Sequence, residues 1–354
     1  MEITTNNIIV EKTKQSKITE VDFNNLPFGS IYSDHMMVCD YKNGAWETPK
    51  IVPYQPLSLD PSAKIFHYGQ SVFEGMKAYK DEEKNIWLFR PLENHARINK
   101  SSKRLAMPEF PEDYFMDGLK TLLQTDEEWI PQSKGSSLYI RPFVFATGRG
   151  FHASPSDEYK FIICTAPSGA YFSGKVKVLI EEKYSRSANG GVGFAKAGGN
   201  YAGQFYPTQL AIEKGYQQVI WTDDNKHEYI EEAGAMNVFV RIKDTLITSP
   251  TSDRILDGIT RKSILDIAKD EGISTEVRKI SVTEVVTAAK NGDLKEMFGA
   301  GTAAVISPIA GFGFQDSDYD LPVMENSYAS RLKKRITDIQ YNIAEDKFGW
   351  RYKV

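Results

Sequence analysis

The sequence predicts an α/β protein, in the mixed α+β sense, made of two domains. Its 354 residues exceed the usual length of a single domain. Strand-like and helix-like segments alternate in the first half without strict β-α-β repetition. Small residues then cluster at 168–174, and a new alternating segment follows. We therefore predict an N-terminal α/β domain over 1–172 (with a partly ordered lead-in at 1–25), a connection at 173–178, and a C-terminal α/β domain over 179–354.

The individual elements are predicted from the spacing of apolar residues. Alternating apolar positions with β-branched and aromatic residues predict strands at 85–91, 136–147, 159–167, 175–182, 217–223 and 237–242, and a strand–turn–strand at 294–309. Helical spacing and glycine stops predict helices at 92–107, 112–125, 199–215, 260–272, 281–292 and 327–345. Ser281 and Glu284 have capping-box spacing. Alternating charge in the last helix predicts a surface position.

Composition excludes several classes of protein. The chain is 41% hydrophobic and 25% charged with a net charge of -4, which is ordinary for a globular protein and unsuited to nucleic acid. Its two cysteines, Cys39 and Cys164, lack zinc-like spacing, so we predict no metal site and no disulfide framework. The N-terminus lacks the apolar core of a signal peptide, and no apolar run approaches the roughly 18 residues of a membrane span. A cytoplasmic protein without a membrane partner is expected.

The stretch GGVGFAKAGGNYAGQF (190–205) places one lysine, Lys196, among glycines and alanines. An amine nucleophile must be unprotonated to attack a carbonyl, and small neighbours leave room for a bulky aldehyde. Lys196 is therefore a candidate Schiff-base lysine, although a lysine in a tight loop gives the same short pattern. A P-loop is excluded because Ala195, rather than glycine, precedes the lysine and Ala197 follows it.

The segment YIEEAGAMNVF (229–239) holds two adjacent acids near the end of a strand. A carboxylate in a partly closed site keeps a pyridine nitrogen protonated, through an attraction on the order of 4 kcal/mol at about 4 Å. Neighbouring residues on a strand point to opposite faces, so at most one of Glu231 and Glu232 enters a site. The alternative is a pair of solvated acids at a turn.

Several positions could bind an anion or line a pocket. LDGITRKS puts Ile259 and Thr260 in the first turn of a helix, where backbone N–H groups lack intrahelical partners. GAGTAA (299–304) offers Thr302 in a second turn, and Arg97 could add a forked contact. Each of these is also typical of an ordinary cap or turn. Five aromatic or arginine side chains could line a small-molecule pocket: Tyr68, Phe73, Tyr139, Arg141 and Tyr171. For Phe73 and Tyr139, packing in the core is an equal alternative.

Taken together, eight segments resemble the branched-chain amino acid aminotransferases, which are pyridoxal-phosphate enzymes of the class IV, D-amino-acid-aminotransferase-like fold. In chain order the segments are HYGQSVFEGMKAY, LFRPLENHARI, SLYIRP, GAYF, GGVGFAKAGGNYA, EEAGAMNVF, ILDGITR and MFGAGTAAVISP. They follow the family order from about residue 25 to the C-terminus, and the ordered set is far more specific than any one motif. The resemblance implies two α/β domains with the cofactor between them.

The resemblance also implies a role for each candidate residue. Lys196, in the C-terminal domain, matches the lysine that forms the Schiff base with pyridoxal 5'-phosphate and moves the proton. Glu232 matches the partner of the pyridine nitrogen, Tyr201 lies near the ring's phenolic oxygen, and Arg186 helps to hold the cofactor. The phosphate would be bound by Arg97, Ile259, Thr260 and Thr302. The substrate would be bound by the backbone of Ala303 and by Tyr68, Phe73, Tyr139, Arg141 and Tyr171.

The activity implied is a ping-pong transamination between L-leucine, L-isoleucine or L-valine and 2-oxoglutarate, in branched-chain amino acid metabolism. A homodimer is expected, in which the region of Tyr68 could reach the partner's site. Three departures from the family pattern stand out. Ala235 replaces a hydroxyl residue after E-x-G, ILDG replaces ILPG and should loosen the turn before the phosphate helix, and TAAVIS has no cysteine pair, so no thiol switch is expected there.

Three other functions fit parts of the same pattern. A D-amino acid aminotransferase or an aminodeoxychorismate lyase would share the fold, but these relatives are typically shorter and lack the long lead-in. The HYGQSVFEGMKA and GTAAVISP segments favour the branched-chain enzyme. A phosphate-ligand binding protein without catalysis is the alternative from a different class.

Overall fold

The chain folds into two units, each built on its own β-sheet. A computed structural model describes residues 2–5, 8–169 and 176–354. The first unit comprises the described residues up to 169 together with 195–198 and 339–354, and the second comprises 176–194 and 199–338. Both units combine strands with helices, so the predicted mixed α/β class is confirmed. Among the residues described, no helix has both the length and the apolar character needed to cross a membrane.

The elements up to residue 169 alternate as the sequence predicts. They are β1 (Glu2–Thr5), β2 (Ile8–Glu11), a 3-10 turn (Ile18–Glu20), β3 (His35–Lys42), β4 (Ala45–Trp46), β5 (Lys50–Pro53), α1 (Lys64–Tyr68), β6 (Ser71–Phe73), β7 (Met76–Lys80), β8 (Ile86–Phe89), α2 (Pro91–Arg104), α3 (Glu112–Thr125), a 3-10 turn (Glu127–Trp129), β9 (Ser137–Ala146) and β10 (Tyr159–Ser168).

The elements from residue 176 onward complete both units. They are β11 (Val176–Ile180), α4 (Gly198–Glu213), β12 (Gln218–Thr222), β13 (Tyr229–Ala233), β14 (Met236–Ile242), β15 (Thr245–Thr248), α5 (Ile259–Asp270), β16 (Thr275–Val277), β17 (Ile280–Ser281), α6 (Val282–Lys290), β18 (Leu294–Gly301), β19 (Val305–Phe314), β20 (Ser317–Asp320), α7 (Tyr328–Gln340) and β21 (Arg351–Lys353).

The sheet of the first unit runs in the order β1-β2-β5-β3-β10-β9-β7-β8-β21, with β4 on β3 and β6 on β9. In β10, the consecutive residues Phe161, Ile162 and Ile163 are all fully buried. They alternate between two apolar clusters, because successive side chains on a strand point to opposite faces. Both faces of the sheet are therefore covered, which explains why this strand reads as a continuous apolar run.

The sheet of the second unit closes on itself. Its order is β16-β15-β14-β18-β19-β11-β12-β13-β17, with β20 on β19, and β13 also pairs with β14. That extra pairing completes a ring of six strands, β14-β18-β19-β11-β12-β13. Closure removes free edges from these strands. Buried side chains of the ring and of helix α6 form one apolar cluster that includes Val178, Ile220, Val238 and Phe312.

Several local predictions can be compared with the structure directly. Ser281 caps α6 by accepting the Glu284 N–H at 3.0 Å, whereas the Glu284 carboxylate binds Arg278. Gly272 and Gly292, predicted as helix stops, adopt φ values of +68° and +78°, which side-chain-bearing residues rarely adopt.

The lead-in, predicted to be partly ordered, contains strands β1 and β2 (residues 2–5 and 8–11) at the edge of the first sheet. Two other expectations differ from the structure. The last helix is shorter than 327–345 and has a buried face, since Leu332, Ile336 and Ile339 are fully buried at helical spacing. The unit boundaries also differ from the predicted ones, because residues 195–198 and the C-terminal strand β21 associate with the first unit. Residues 173–175 of the predicted connection lie outside the described residues.

Candidate active site

Lys196 lies in a short segment that is held through its backbone. Its N–H donates to the Ser101 hydroxyl at 2.9 Å, and its carbonyl accepts the Phe73 N–H at 3.0 Å. Its neighbours Ala195 and Ala197 are buried, while the Lys196 side chain reaches over the Phe73 ring with its amine 4.7 Å from the ring centroid. The small flanking residues therefore let the backbone pack closely while the amine faces an aromatic surface.

Phe73, Tyr139 and Arg141 form one cluster in the first unit. Arg141 lies over the Phe73 ring at 4.6 Å from its centroid, and its Nη2 donates to the Tyr139 hydroxyl at 2.8 Å. The Nε of Arg141 is buried and has no hydrogen-bond partner among the described residues. At Gly75, an added Cβ would lie 2.3 Å from the Tyr139 hydroxyl, so this position requires glycine for the cluster to keep its arrangement. Of the pocket residues that the sequence suggested, the structure brings these three together.

Tyr68 and Tyr171 stand apart from that cluster. Tyr68 ends α1 on the surface, with 40% of its area exposed, and its hydroxyl donates to the Phe151 carbonyl. Phe151 is itself 71% exposed, so the pair presents aromatic surface to solvent. Tyr171 lies outside the described residues.

Arg97 is engaged by a carboxylate that the sequence analysis did not single out. Its Nε and Nη2 donate to the two oxygens of Glu74 at 2.6 and 2.8 Å, and Asn94 donates to the same carboxylate at 2.7 Å. Burial of Glu74 would raise its pKa, but the Arg97 charge and hydrogen bonds, with Lys196 nearby, more than offset this and lower the pKa. The fork of Arg97, which the sequence offered to an anion, is thus occupied by Glu74. Its role toward phosphate stays a prediction.

Glu232 is held as a buried ion pair in the second unit. The Arg186 Nη1 lies 2.8 Å from one carboxylate oxygen of Glu232, and both side chains are almost fully buried. The other oxygen accepts the Asn237 amide and the Leu256 N–H, each at 3.2 Å. These donors fix the orientation of the Glu232 carboxylate.

Glu231 has a different partner and a different environment from Glu232. It is 5% exposed and binds the Arg254 Nε at 2.5 Å. Burial raises its pKa, and Arg254 offsets this only in part. The alternative interpretation of both acids as solvated turn residues is wrong, because strand β13 buries both and directs them to separate arginines.

The first turn of α5 offers backbone donors. Gly258 precedes the helix and supplies no side-chain cap, and Ile259 and Thr260 are buried in the first turn. A Cβ on Gly258 would lie 1.9 Å from the Asn237 amide oxygen, so glycine is required there. The uncapped N–H groups, together with the helix dipole, suit an anion.

The remaining predicted residues occupy turns and a helix start. Thr302 and Ala303 lie half-buried in the turn between β18 and β19, and Tyr201 is half-buried in the first turn of α4. Ala235 is exposed in the turn between β13 and β14. Within the residues described, no group of three or more His, Cys, Asp or Glu side chains is placed to hold a metal ion.

Sequence reasoning missed several residues that contact and orient the candidate site residues. These are Glu74, Gly75, Ser101 and Asn237. A signal was present for two of them. Glu74 is an acid inside an apolar strand–turn segment, and Ser101 follows Arg97 by four residues on one helix, so both share its face.

Comparison with known proteins places the chain in a family. Residues 71–312 match the family model described as amino-transferase class IV. The fold and the lysine-containing site thus define a class IV aminotransferase, and the chain belongs to that family.

Individual relatives narrow the assignment. The chain is 43% identical over 353 residues to branched-chain-amino-acid aminotransferase 2 of Bacillus subtilis (strain 168), covering 98% of this chain and 97% of that protein. The solved branched-chain amino acid aminotransferase of Escherichia coli has 26% identity and a TM-score of 0.73, covering 88% of this chain and 98% of that one. The Thermobaculum terrenum enzyme, solved in its PLP-form, shares the fold at 20% identity and a TM-score of 0.73, covering 90% of this chain and 98% of that one. Within class IV, the chain belongs to the branched-chain-amino-acid aminotransferases.

Proposed function

We propose that the protein transfers amino groups between branched-chain L-amino acids and 2-oxoglutarate, with pyridoxal 5'-phosphate attached to Lys196. One observation carries the proposal. The Lys196 amine and the Arg141 guanidinium contact the same Phe73 ring, at 4.7 and 4.6 Å from its centroid. A reactive amine, an apolar surface and a cation suited to a carboxylate are therefore close together, as an enzyme of amino and 2-oxo acids requires.

The donor set within each unit fits such a cofactor. In the second unit, the Glu232 carboxylate forms a buried ion pair with Arg186, and we propose it as the acid that would face a protonated ring nitrogen. The uncapped first turn of α5, with Ile259 and Thr260, supplies N–H donors for a phosphate, and Thr302 is proposed as a further phosphate ligand. Arg97 and Tyr201 are proposed to bind the phosphate and the phenolic oxygen. When bound, pyridoxal phosphate supplies an electron-withdrawing ring that stabilises negative charge at the substrate α-carbon.

Different residues of the chain are proposed to hold the cofactor, transfer the proton and bind the substrate. Lys196 would hold the cofactor through its Nζ, and we assign to the same amine the acceptance and return of the substrate's α-carbon proton. Arg141 is proposed to bind the distal carboxylate of glutamate, using donors that include its buried Nε. Phe73, Tyr139 and Tyr68 would contact the aliphatic side chain, and the backbone of Ala303 the α-carboxylate. Tyr171 stays a predicted pocket residue.

The pocket should accept all three branched-chain substrates. One methylene in a hydrophobic pocket changes transition-state binding by only about 1–3 kcal/mol. We therefore expect leucine, isoleucine and valine to be used with kcat/KM values within about two orders of magnitude of one another.

We further propose a homodimer. Exposed aromatic residues gather around α1, with Phe66 60%, Tyr68 40% and Phe151 71% exposed. Apolar patches of this kind are typical of interaction surfaces. A second copy of the chain would cover these exposed aromatic side chains. Size-exclusion chromatography with light scattering measures the mass in solution and so tests whether the protein is a dimer. The cytoplasmic location stays a prediction from the sequence.

The function is tested by covalent trapping and substrate choice. Purified protein is incubated with pyridoxal 5'-phosphate, reduced with borohydride and digested, and the labelled lysine is identified by mass spectrometry. We expect the label on Lys196, no label at that position in Lys196→Ala, and unchanged labelling in the exposed control Lys183→Ala. Transamination of L-leucine with 2-oxoglutarate should accompany labelling. Activity with D-alanine but not L-leucine would instead indicate a D-amino acid aminotransferase, and absence of any label would indicate a binding protein.

A further inference from the structure

We infer that Ser101 is a positioning residue for Lys196, which it holds by a side-chain hydrogen bond to the lysine's backbone. The inference rests on the proposed role of Lys196 as the residue that binds the cofactor. Ser101 lies in α2 and is fully buried. Its hydroxyl accepts the Lys196 N–H at 2.9 Å and donates to the Arg97 carbonyl at 2.9 Å.

The two bonds use the hydroxyl in complementary ways. A serine hydroxyl has one proton and two lone pairs. The proton goes to the helix carbonyl four residues earlier, which sets the orientation of the hydroxyl group. A lone pair is thereby directed to the backbone N–H of Lys196. Arg97 and Lys196 are consequently linked through one side chain.

The opposite side of the segment is held by strand β6. The Lys196 carbonyl accepts the Phe73 N–H, and Ala197 forms an antiparallel bridge with Val72. Together with the bond to Ser101 on the amide side, these contacts hold the Lys196 backbone from two directions, so the flexible lysine side chain starts from a defined backbone position.

The neighbouring serine provides a matched control. Ser102 is also in α2 and is 1% exposed, but its hydroxyl is buried without a hydrogen-bond partner among the described residues. Ser101→Ala and Ser102→Ala therefore remove the same atom from adjacent buried positions of one helix. Only the first removes an acceptor from Lys196.

The first measurement is hydrogen exchange at the Lys196 amide in the full-length protein, resolved to single residues by fragmentation mass spectrometry. Loss of one hydrogen bond should accelerate this exchange about five- to tenfold in Ser101→Ala. Ser102→Ala should leave it unchanged. Ser101→Cys, which fills the site of the hydroxyl with a larger atom that accepts hydrogen bonds weakly, should behave like Ser101→Ala and serves if the alanine variant does not fold.

The second measurement is the rate at which pyridoxal 5'-phosphate is captured on Lys196, followed by borohydride trapping, together with kcat and KM for L-leucine. We expect Ser101→Ala to slow capture and to lower kcat about tenfold or more with KM nearly unchanged, because the amine rather than the pocket is displaced. Ser102→Ala should match the unaltered protein in both.

The outcomes separate this inference from the proposed function. Unchanged amide exchange in Ser101→Ala overturns the inference whatever the labelling shows. Faster exchange with unchanged capture and kcat also overturns it, because the bond would then be structural only. If the unaltered protein is labelled at a lysine other than Lys196, the proposed function fails and this inference, which rests on it, is overturned as well.

Discussion

The buried carboxylate of Glu74 gives the most direct test of how the first unit holds Arg97. We predict that Glu74→Gln lowers the free energy of unfolding at pH 7 by about 3–5 kcal/mol, the usual cost of leaving one partner of a buried ion pair without the other. Glu74 is fully buried and accepts Nε and Nη2 of Arg97 at 2.6 and 2.8 Å. A glutamine amide nitrogen would oppose one of these donors with another donor.

The pH dependence follows from the lowered pKa of Glu74. A carboxylate with a folded-state pKa below its ordinary value of 4.5 contributes its full stability above that value. The contribution is lost as pH falls through the lower folded pKa, because the native ion pair must then be protonated. The stability difference between the unaltered protein and Glu74→Gln should therefore be constant from about pH 6 to 8 and shrink below about pH 4.5.

The assay is urea denaturation followed by tryptophan fluorescence and by hydrogen exchange of peptides from the first unit, since a chain with two units need not unfold in one step. Glu93→Gln is the matched control, because Glu93, in the first turn of α2, pairs with Arg90 just before the helix while 32% of its side chain is exposed, against 0% for Glu74. Because solvent partly replaces the lost partner, this substitution should cost only about 1 kcal/mol or less. Equal effects of the two substitutions at pH 7 would refute the reasoning.

Two further predictions concern the pocket and the second unit. Gly75→Ala should raise KM for L-leucine at least about tenfold, because the added methyl would lie 2.3 Å from the Tyr139 hydroxyl. Gly203→Ala is the control and should leave KM unchanged, because there is open space around Gly203. Steady-state kinetics measures both, and equal KM values for the two variants would contradict the prediction. Glu231→Gln should show the opposite pH trend to Glu74→Gln. The raised pKa of Glu231 means that burial penalises its charged form despite Arg254, so the stability of Glu231→Gln relative to the unaltered protein should increase as pH rises through that pKa. Urea denaturation from pH 4 to 8 measures this difference, and a decrease with rising pH would contradict the prediction.

The regular elements could be predicted well because their signals are local. Helices α2 and α3 and strands β9 and β10 carry their periodicity and stops in the chain itself, and the structure has them within a few residues of the predicted bounds. The strands of the lead-in could not be predicted individually for a different reason. Strand β1 pairs with β2, and β2 pairs with β5, which is a tertiary contact that local sequence patterns do not predict.

The membership of residues 195–198 illustrates the same limit at the site. Their sequence neighbours on both sides belong to the second unit, so any division of the chain at one boundary assigns them there. Their place in the first unit comes from pairing with β6 and from Ser101, 95 residues earlier. Hydrogen bonds between residues so far apart in the chain produce no periodic pattern in the sequence, so they could not be predicted from it.

The proposed reactive residues and the residues that hold them differ in how strongly chemistry restricts which amino acid can occupy each position. Only a lysine supplies the amine of Lys196, and only an acid supplies the charge of Glu232, so ordered motifs around them are informative. An acceptor for a backbone N–H, in contrast, can be serine, threonine, asparagine or a backbone carbonyl, and Ser101 is therefore inconspicuous in sequence. The same holds for Asn237, which orients Glu232 through one amide. Several residue types can serve as such an acceptor, but only at one position in the fold. Replacing the acceptor while keeping Lys196 and Glu232 therefore tests how the site is positioned separately from which chemical groups it contains.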